Sequence, residues 1–130
     1  VKSHGTRTVV GTYGYMPPEQ FGGRAFPASD LYSLGMTLIY LATKKQPSEL
    51  LDDDLNIQLN NINNLSIELK TWLNLMIQPS LNRRFNTAKI ALECINNLSD
   101  ITSKHEFDLV DKNIGYGQCK PSSSKIKLIR

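Results

Sequence analysis

Cysteine and histidine are scarce in this chain, and their positions exclude several kinds of site. Its 130 residues include two cysteines, Cys94 and Cys119, and two histidines, His4 and His105. The cysteines are too far apart for a zinc motif or a disulfide framework. The histidines have no partners at the spacing of metal ligands or of a catalytic triad. The sequence therefore predicts no metal site. Two such cysteines are typical of a reducing, intracellular setting, so we expect a cytoplasmic location.

Long apolar runs and a strong charge of one sign are also missing. The most apolar stretch, residues 37–43, is closely bracketed by polar or charged residues and is too short to cross a bilayer. We expect no membrane segment in this chain, although a longer protein could be anchored beyond Arg130. The net charge of +3 is too small to predict a nucleic-acid partner. The basic residues near the end of the chain are typical of a solvated tail, and a membrane-surface patch is the alternative. They are Lys120, Lys125, Lys127 and Arg130.

What remains is a helical pattern, strongest over residues 30–43. A soluble helix that is apolar nearly all round is predicted to be buried all round, and Gly35 in its middle predicts a close backbone approach. The apolar residues of this helix are Leu31, Tyr32, Leu34, Met36, Leu38, Ile39, Tyr40 and Leu41.

Weaker signals flank this helix. Residues 17–21 predict a short helical turn, and residues 48–51 a second one. The Asn-rich residues 56–64 are interpreted as a poorly ordered connection. A helical period returns over residues 66–77, and a last helix begins at Asn86 or Thr87. We expect that last helix to turn these residues inward: Ala88, Ala91, Leu92, Ile95 and Leu98.

The organisation predicted is one mainly α domain over residues 1–98. Its N-terminal residues form an irregular loop that is rich in glycine and threonine. Residues 99–130 are interpreted as a poorly ordered linker or tail, or as the start of a following domain, because a proline and three serines precede an alternating apolar pattern. The sequence shows neither an internal repeat nor a strand–helix–strand unit.

One stretch is specific enough to suggest a family. Residues 8–35 read T-V-V-G-T-Y-G-Y-M-P-P-E-Q-F-G-G-R-A-F-P-A-S-D-L-Y-S-L-G, and residues 82–85 read N-R-R-F. Together they resemble the end of a protein-kinase activation segment, the start of the central kinase helix and the arginine-bearing turn before the last kinase helix. The resemblance covers about residues 5–98 and is greatest to the eukaryotic-like serine/threonine kinases of bacteria. It implies the helical lower half of a kinase C-terminal lobe (C-lobe).

The resemblance implies a substrate-binding loop near the N-terminus. In the family this loop receives the substrate residue that follows the phosphoacceptor, and a threonine in it hydrogen-bonds the catalytic loop. Thr12 matches that threonine and favours Ser/Thr specificity. The alternative interpretation is that Thr12 is an ordinary loop threonine that caps a turn. The matching residues are Gly11, Thr12, Tyr13, Gly14 and Tyr15.

It also implies structural anchors. Glu19 matches the glutamate that ends the activation segment, and Arg84 matches its buried arginine partner, with Arg83 as the competing candidate. Asp30 resembles the aspartate that holds the catalytic loop through backbone hydrogen bonds; a plain acidic helix start is the alternative. Thr6 and Thr8 flank Arg7 in the stretch where kinases carry activating phosphates, so both are possible phosphosites.

Several kinase motifs are not in these residues. The chain has no G-x-G-x-x-G loop over the phosphates, no phosphate-pairing strand lysine, no H-R-D-x-x-x-x-N and no D-F-G. Full-length members bind ATP and Mg between their two lobes and act on protein substrates. We therefore expect no catalytic residue, no bound ATP or Mg and no activity in this fragment alone. A non-catalytic module that binds a protein partner is the alternative.

Overall fold

The computed structural model describes residues 10–98. Within that range it contains five α-helices, two short 3₁₀ turns and no β-strand. The helices are α1 (Pro18–Phe21), α2 (Pro27–Thr43), α3 (Pro47–Leu50), α4 (Ile67–Met76) and α5 (Ala88–Asn96). The 3₁₀ turns are Leu59–Asn61 and Leu81–Arg83. The mainly α fold is confirmed. The boundary between residues 1–98 and 99–130 stays a prediction, since residues 99–130 lie outside the described range.

Helix α2 begins earlier than residue 30, where the sequence placed its start. Pro27 occupies its first turn, where the missing N–H of proline costs nothing. The Oγ of Ser29 accepts a hydrogen bond from the backbone N–H of Phe26 at 3.0 Å, and this bond satisfies one of the free donors at the helix start. The helix ends at Thr43, and its C-cap residue Lys44 adopts a left-handed conformation with φ 59°.

The prediction that α2 is buried all round is wrong for part of its surface. Helices α3, α4 and α5 all contact α2, and the side facing the core is buried. Leu34 and Leu41 are instead 48% and 53% exposed. The described elements therefore leave about half of each of these two side chains uncovered. The buried residues of α2 are Ala28, Ser29, Leu31, Tyr32, Gly35, Met36 and Ile39.

The prediction of a close approach at Gly35 is confirmed. A Cβ atom at this position would lie 2.7 Å from Cγ2 of Ile77 and 3.1 Å from Cβ of Met76. Both distances are shorter than ordinary van der Waals contact, so α2 and the end of α4 can pack this closely only with a glycine there.

Helices α4 and α5 begin at hydroxyl caps. Ser66 Oγ accepts from the N–H of Leu69, and Thr87 Oγ1 accepts from that of Ile90, each at 3.3 Å. The choice between Asn86 and Thr87 is therefore settled for Thr87. Helix α5 turns Ala91 and Cys94 into the core, and Leu98, just after the helix, is also buried. Ala88 and Leu92 are exposed, and Ile95 is half-buried. The inward face predicted for α5 was wrong at Ala88 and Leu92, because the buried stripe runs through Cys94.

The connection between α3 and α4 has more structure than its asparagines indicated. Leu51 and Ile57 form an antiparallel bridge, and Ile57 and Leu59 are buried in the core. Oδ1 of Asp52 accepts hydrogen bonds from the N–H groups of Asp54 and Asn56. The interpretation of a poorly ordered connection was wrong for this part, since two apolar side chains tie it to the core.

Candidate functional site

The residues 11–15, here called the 11–15 loop, form a tight turn. The carbonyl oxygen of Thr12 accepts hydrogen bonds from the N–H groups of Tyr15 at 3.0 Å and Met16 at 3.2 Å. Gly14 has φ +88°, a conformation that favours glycine. A Cβ on Gly14 would also lie 2.9 Å from the backbone nitrogen of Ser48. Glycine is therefore needed at position 14 both for its backbone angle and for its closeness to the chain after α2.

Tyr15 is held from two sides. The Oγ of Ser33 on α2 donates to the carbonyl oxygen of Tyr15 at 2.8 Å. The Tyr15 hydroxyl donates to Oε1 of Gln46, just before α3, at 3.2 Å. Sequence reasoning missed these contacts of Ser33 and Gln46, because both residues lie far along the chain from Tyr15. Ser33 belongs to the kinase-like stretch of residues 8–35, whereas Gln46 lies outside it.

An open hollow of about 450 Å³ lies beside the 11–15 loop. The loop contributes Gly11, Thr12 and Tyr15 to its lining, and α2 contributes Ser33 and Thr37. Thr12 and Tyr13 are exposed. The loop thus presents accessible side chains beside the hollow while its backbone is bonded to α2 through Ser33.

Glu19 and Arg84 form a two-pronged ion pair. Nη1 of Arg84 lies 2.6 Å from Oε1 of Glu19, and Nη2 lies 3.2 Å from Oε2. The side chains are 0% and 7% exposed for Arg84 and Glu19. The structure thus places Arg84 opposite Glu19. Arg83 is exposed at the end of a 3₁₀ turn.

The guanidinium of Arg84 is completely satisfied. Its Nε donates to the carbonyl oxygen of Gln78, Nη1 to that of Ala28 and Nη2 to that of Pro79, at 2.9, 3.0 and 3.2 Å. With the two bonds to Glu19, every N–H of the group has an acceptor. The guanidinium carbon also lies 4.9 Å from the centre of the Tyr32 ring, within the range of a cation–π contact.

The surroundings of Glu19 keep its carboxylate charged. Burial by itself would raise its pKa, but the hydrogen bonds from Arg84, from backbone and from Ser29, together with the charge of Arg84, outweigh burial and lower the pKa. The Oγ of Ser29 donates to Oε1 of Glu19 at 2.8 Å. Nearby, burial raises the pKa of Tyr32 to about 12, against the opposing charge of Arg84. This phenol is therefore neutral at pH 7.

Asp30 does not join this cluster. It is exposed in the first turn of α2, and its side chain has no hydrogen bond or ion pair to residues 10–98. The structure therefore leaves its carboxylate accessible, and the predicted anchoring role stays a prediction.

Four further residues from the sequence analysis lie outside the described residues: Thr6, Thr8, His4 and His105. Among residues 10–98, no group of three or more His, Cys, Asp or Glu is placed to hold a metal ion. No helix in that same range is long and apolar enough to cross a membrane.

The helical bundle, the loop ahead of it and the central helix α2 are consistent with the lower part of a protein-kinase C-lobe. Comparison with known proteins supports this class. The chain is 41% identical over 101 residues to serine/threonine-protein kinase PknA of Nostoc sp., an alignment that covers 73% of the chain. It is 36% identical over 93 residues to serine/threonine-protein kinase D of Synechocystis sp., covering 69% of the chain.

A third relative, serine/threonine-protein kinase B of Synechocystis sp., is 33% identical over 95 residues. The chain spans only 18% of the length of PknA and of kinase D. No family model and no solved structure matches the chain. The chain belongs to the eukaryotic-like serine/threonine protein kinases of bacteria and corresponds to a part of their C-lobe.

Proposed function

We propose that residues 10–98 form the substrate-receiving part of a kinase that transfers phosphate from ATP to serine or threonine hydroxyls of proteins. The observation that carries this proposal is the Glu19–Arg84 pair, which connects the segment following the 11–15 loop to the helical core. Phosphoryl transfer depends mainly on positioning and electrostatic stabilisation. A loop that presents the phosphoacceptor residue must therefore be held rigidly, and the Glu19–Arg84 pair is suited to hold it.

In this proposal two accessible side chains meet the catalytic loop. Thr12 is exposed beside the hollow, where its hydroxyl is free to reach the catalytic aspartate and lysine of the family. The carboxylate of Asp30 is exposed, and in this proposal it accepts backbone hydrogen bonds from the same loop. ATP and Mg are bound by parts of the kinase that carry the glycine-rich, H-R-D and D-F-G motifs, none of which is in these 130 residues. Residues 1–130 alone are accordingly inactive.

The test compares two proteins. One is the product of the longest open reading frame that contains this chain, and the other is residues 1–130 alone, each incubated with Mg-ATP and dephosphorylated casein. We expect labelling of casein on serine or threonine by the longer product only. Labelling by residues 1–130 alone would overturn the predicted inactivity. A reading frame without H-R-D and D-F-G would instead favour the non-catalytic interaction module.

A pair of variants tests the role of Asp30 in the longer product. Asp30→Asn keeps the size of the side chain but removes its charge, so we expect a large loss of kcat. Asp53→Asn is the matched control, because Asp53 is an exposed aspartate in the connection between α3 and α4 with no hydrogen bond to the described residues. Equal activity of both variants would contradict the anchoring role.

A further inference from the structure

We infer that Gln46 is a positioning residue for the substrate, acting through Tyr15. This inference rests on the proposed function. No motif in the sequence points to Gln46, and its relation to the 11–15 loop is visible only in the structure. The hydroxyl of Tyr15 donates to Oε1 of Gln46 at 3.2 Å across 31 positions of the chain.

The first support is the path of the chain after α2. The left-handed conformation of Lys44 ends the helix, with its N–H bonded to the carbonyl oxygen of Tyr40 at 2.7 Å. The chain then returns to start α3 at Pro47, whose side chain is fully buried. This turn brings residues 46–48 beside the 11–15 loop, where the backbone nitrogen of Ser48 leaves no space for a side chain on Gly14.

The second support is that the backbone of Gln46 is held in place. Its backbone N–H donates to Oε2 of Glu49 at 3.1 Å, a bond that caps the start of α3. The side chain of Gln46 is exposed, so it contributes little to the core. Its bond to Tyr15 is therefore better suited to orienting the tyrosine than to stabilising the fold.

The third support is the way Tyr15 connects two elements. Its carbonyl oxygen is bonded to Ser33 on α2, and its hydroxyl is bonded to Gln46 on the turn after α2. The ring of Tyr15 is half-buried and packs against the core. Loss of the Gln46 bond releases only the outer end of the ring. We expect the shape of the 11–15 loop to loosen while the fold is kept.

The experiment uses the product of the full open reading frame and measures KM and kcat with casein and with ATP. Gln46→Met keeps the length of the side chain but has no amide oxygen, and Tyr15→Phe removes the donor. We expect each variant to raise the KM for casein roughly two- to ten-fold, the range that one hydrogen bond supports. The KM for ATP should not change. The double variant should be no worse than either single variant, because both remove the same bond.

Two further variants separate positioning from general damage. Gln46→Glu keeps an acceptor and should retain a nearly normal KM for casein. Gln58→Met is the matched control, since Gln58 is an exposed glutamine whose side chain has no hydrogen bond to the described residues.

The outcomes are distinguishable. A wild-type protein that transfers no phosphate overturns the proposed function and this inference with it. An active wild type whose Gln46→Met and Tyr15→Phe variants keep the normal KM for casein overturns this inference alone. Three other results would also overturn it: additive effects in the double variant, a clearly raised KM for casein in Gln46→Glu, or an equal rise of that KM in Gln58→Met.

Discussion

Arg84 donates from both terminal nitrogens to both carboxylate oxygens of Glu19, although 65 positions separate them in the chain. The pair joins the short helix α1 to the turn that precedes α5. Because the guanidinium also binds the carbonyl oxygens of Ala28, Gln78 and Pro79, a single side chain connects three segments of the fold.

Removal of either partner should destabilise the protein strongly. Arg84→Met leaves the Glu19 carboxylate largely buried without its partner, and Glu19→Gln leaves a buried guanidinium charge uncompensated. We expect each to lower the free energy of unfolding by about 3–5 kcal/mol. Urea unfolding followed by circular dichroism measures this, and a double-mutant cycle isolates the coupling.

The neighbouring arginine supplies the control for that cycle. Arg83 is exposed, so Arg83→Met should change stability by no more than about 0.5 kcal/mol. A coupling between Glu19 and Arg84 near zero would contradict the pairing.

Stability should fall in acid because of Glu19. The pKa of this carboxyl is lower in the folded protein than its ordinary value of 4.5, so the folded state releases the proton more readily than the unfolded state. The contribution of Glu19 to the free energy of unfolding is therefore fully present above its ordinary pKa. It is lost as the pH falls through the pKa of the folded state. Urea unfolding from pH 7 to pH 3 should show this loss below about 4.5.

The part of the stability that is lost in acid because of Glu19 should disappear when this side chain cannot ionise. We expect Glu19→Gln to flatten the fall in stability between pH 5 and 3, measured against the wild type. Asp53→Asn is a suitable comparison because Asp53 is exposed. An unchanged pH profile in Glu19→Gln would show that other carboxyl groups cause the acid sensitivity.

Gly35→Ala should destabilise the protein although alanine favours helices. Helix propensity alone would stabilise α2 by about 1 kcal/mol. The new methyl would lie 2.7 Å from Ile77 and 3.1 Å from Met76, and overpacking of this kind costs about 1–3 kcal/mol. We expect a net loss of stability in thermal unfolding. Thr37→Ala, an exposed change in the same helix, should be close to neutral, and a stabilised Gly35→Ala would contradict the close approach.

Lys44→Gly should stabilise the end of α2. Lys44 has φ 59°, a left-handed conformation that costs an ordinary residue roughly 1–2 kcal/mol. Glycine adopts it without strain but loses more entropy on folding, so we expect a net gain of about 0.5–1 kcal/mol. The adjacent Lys45 does not have a positive φ, and Lys45→Gly should not stabilise. A shift in melting temperature measures both, and equal shifts would refute the explanation.

Much of the fold was predictable because its signals are local. The hydroxyl caps Ser66 and Thr87, the proline-started turns and the apolar period of α2 depend on residues close in sequence, so the helices could be placed from the sequence. The Glu19–Arg84 pair was predictable for a different reason, since it came from a resemblance to a family and not from spacing.

Tertiary structure alone decided the rest. Whether an apolar residue is buried depends on which elements pack against it, so the exposure of Leu34, Leu41 and Leu92 could not be derived from periodicity. The bonds from Ser33 and Gln46 to Tyr15 join residues that are distant in the chain. Sequence by itself determined the helices and the family, and it predicted the segment that we propose to face the substrate. Only the packing of α2, with the turn that follows it, decided how that segment is held, because such contacts exist only once the chain has folded.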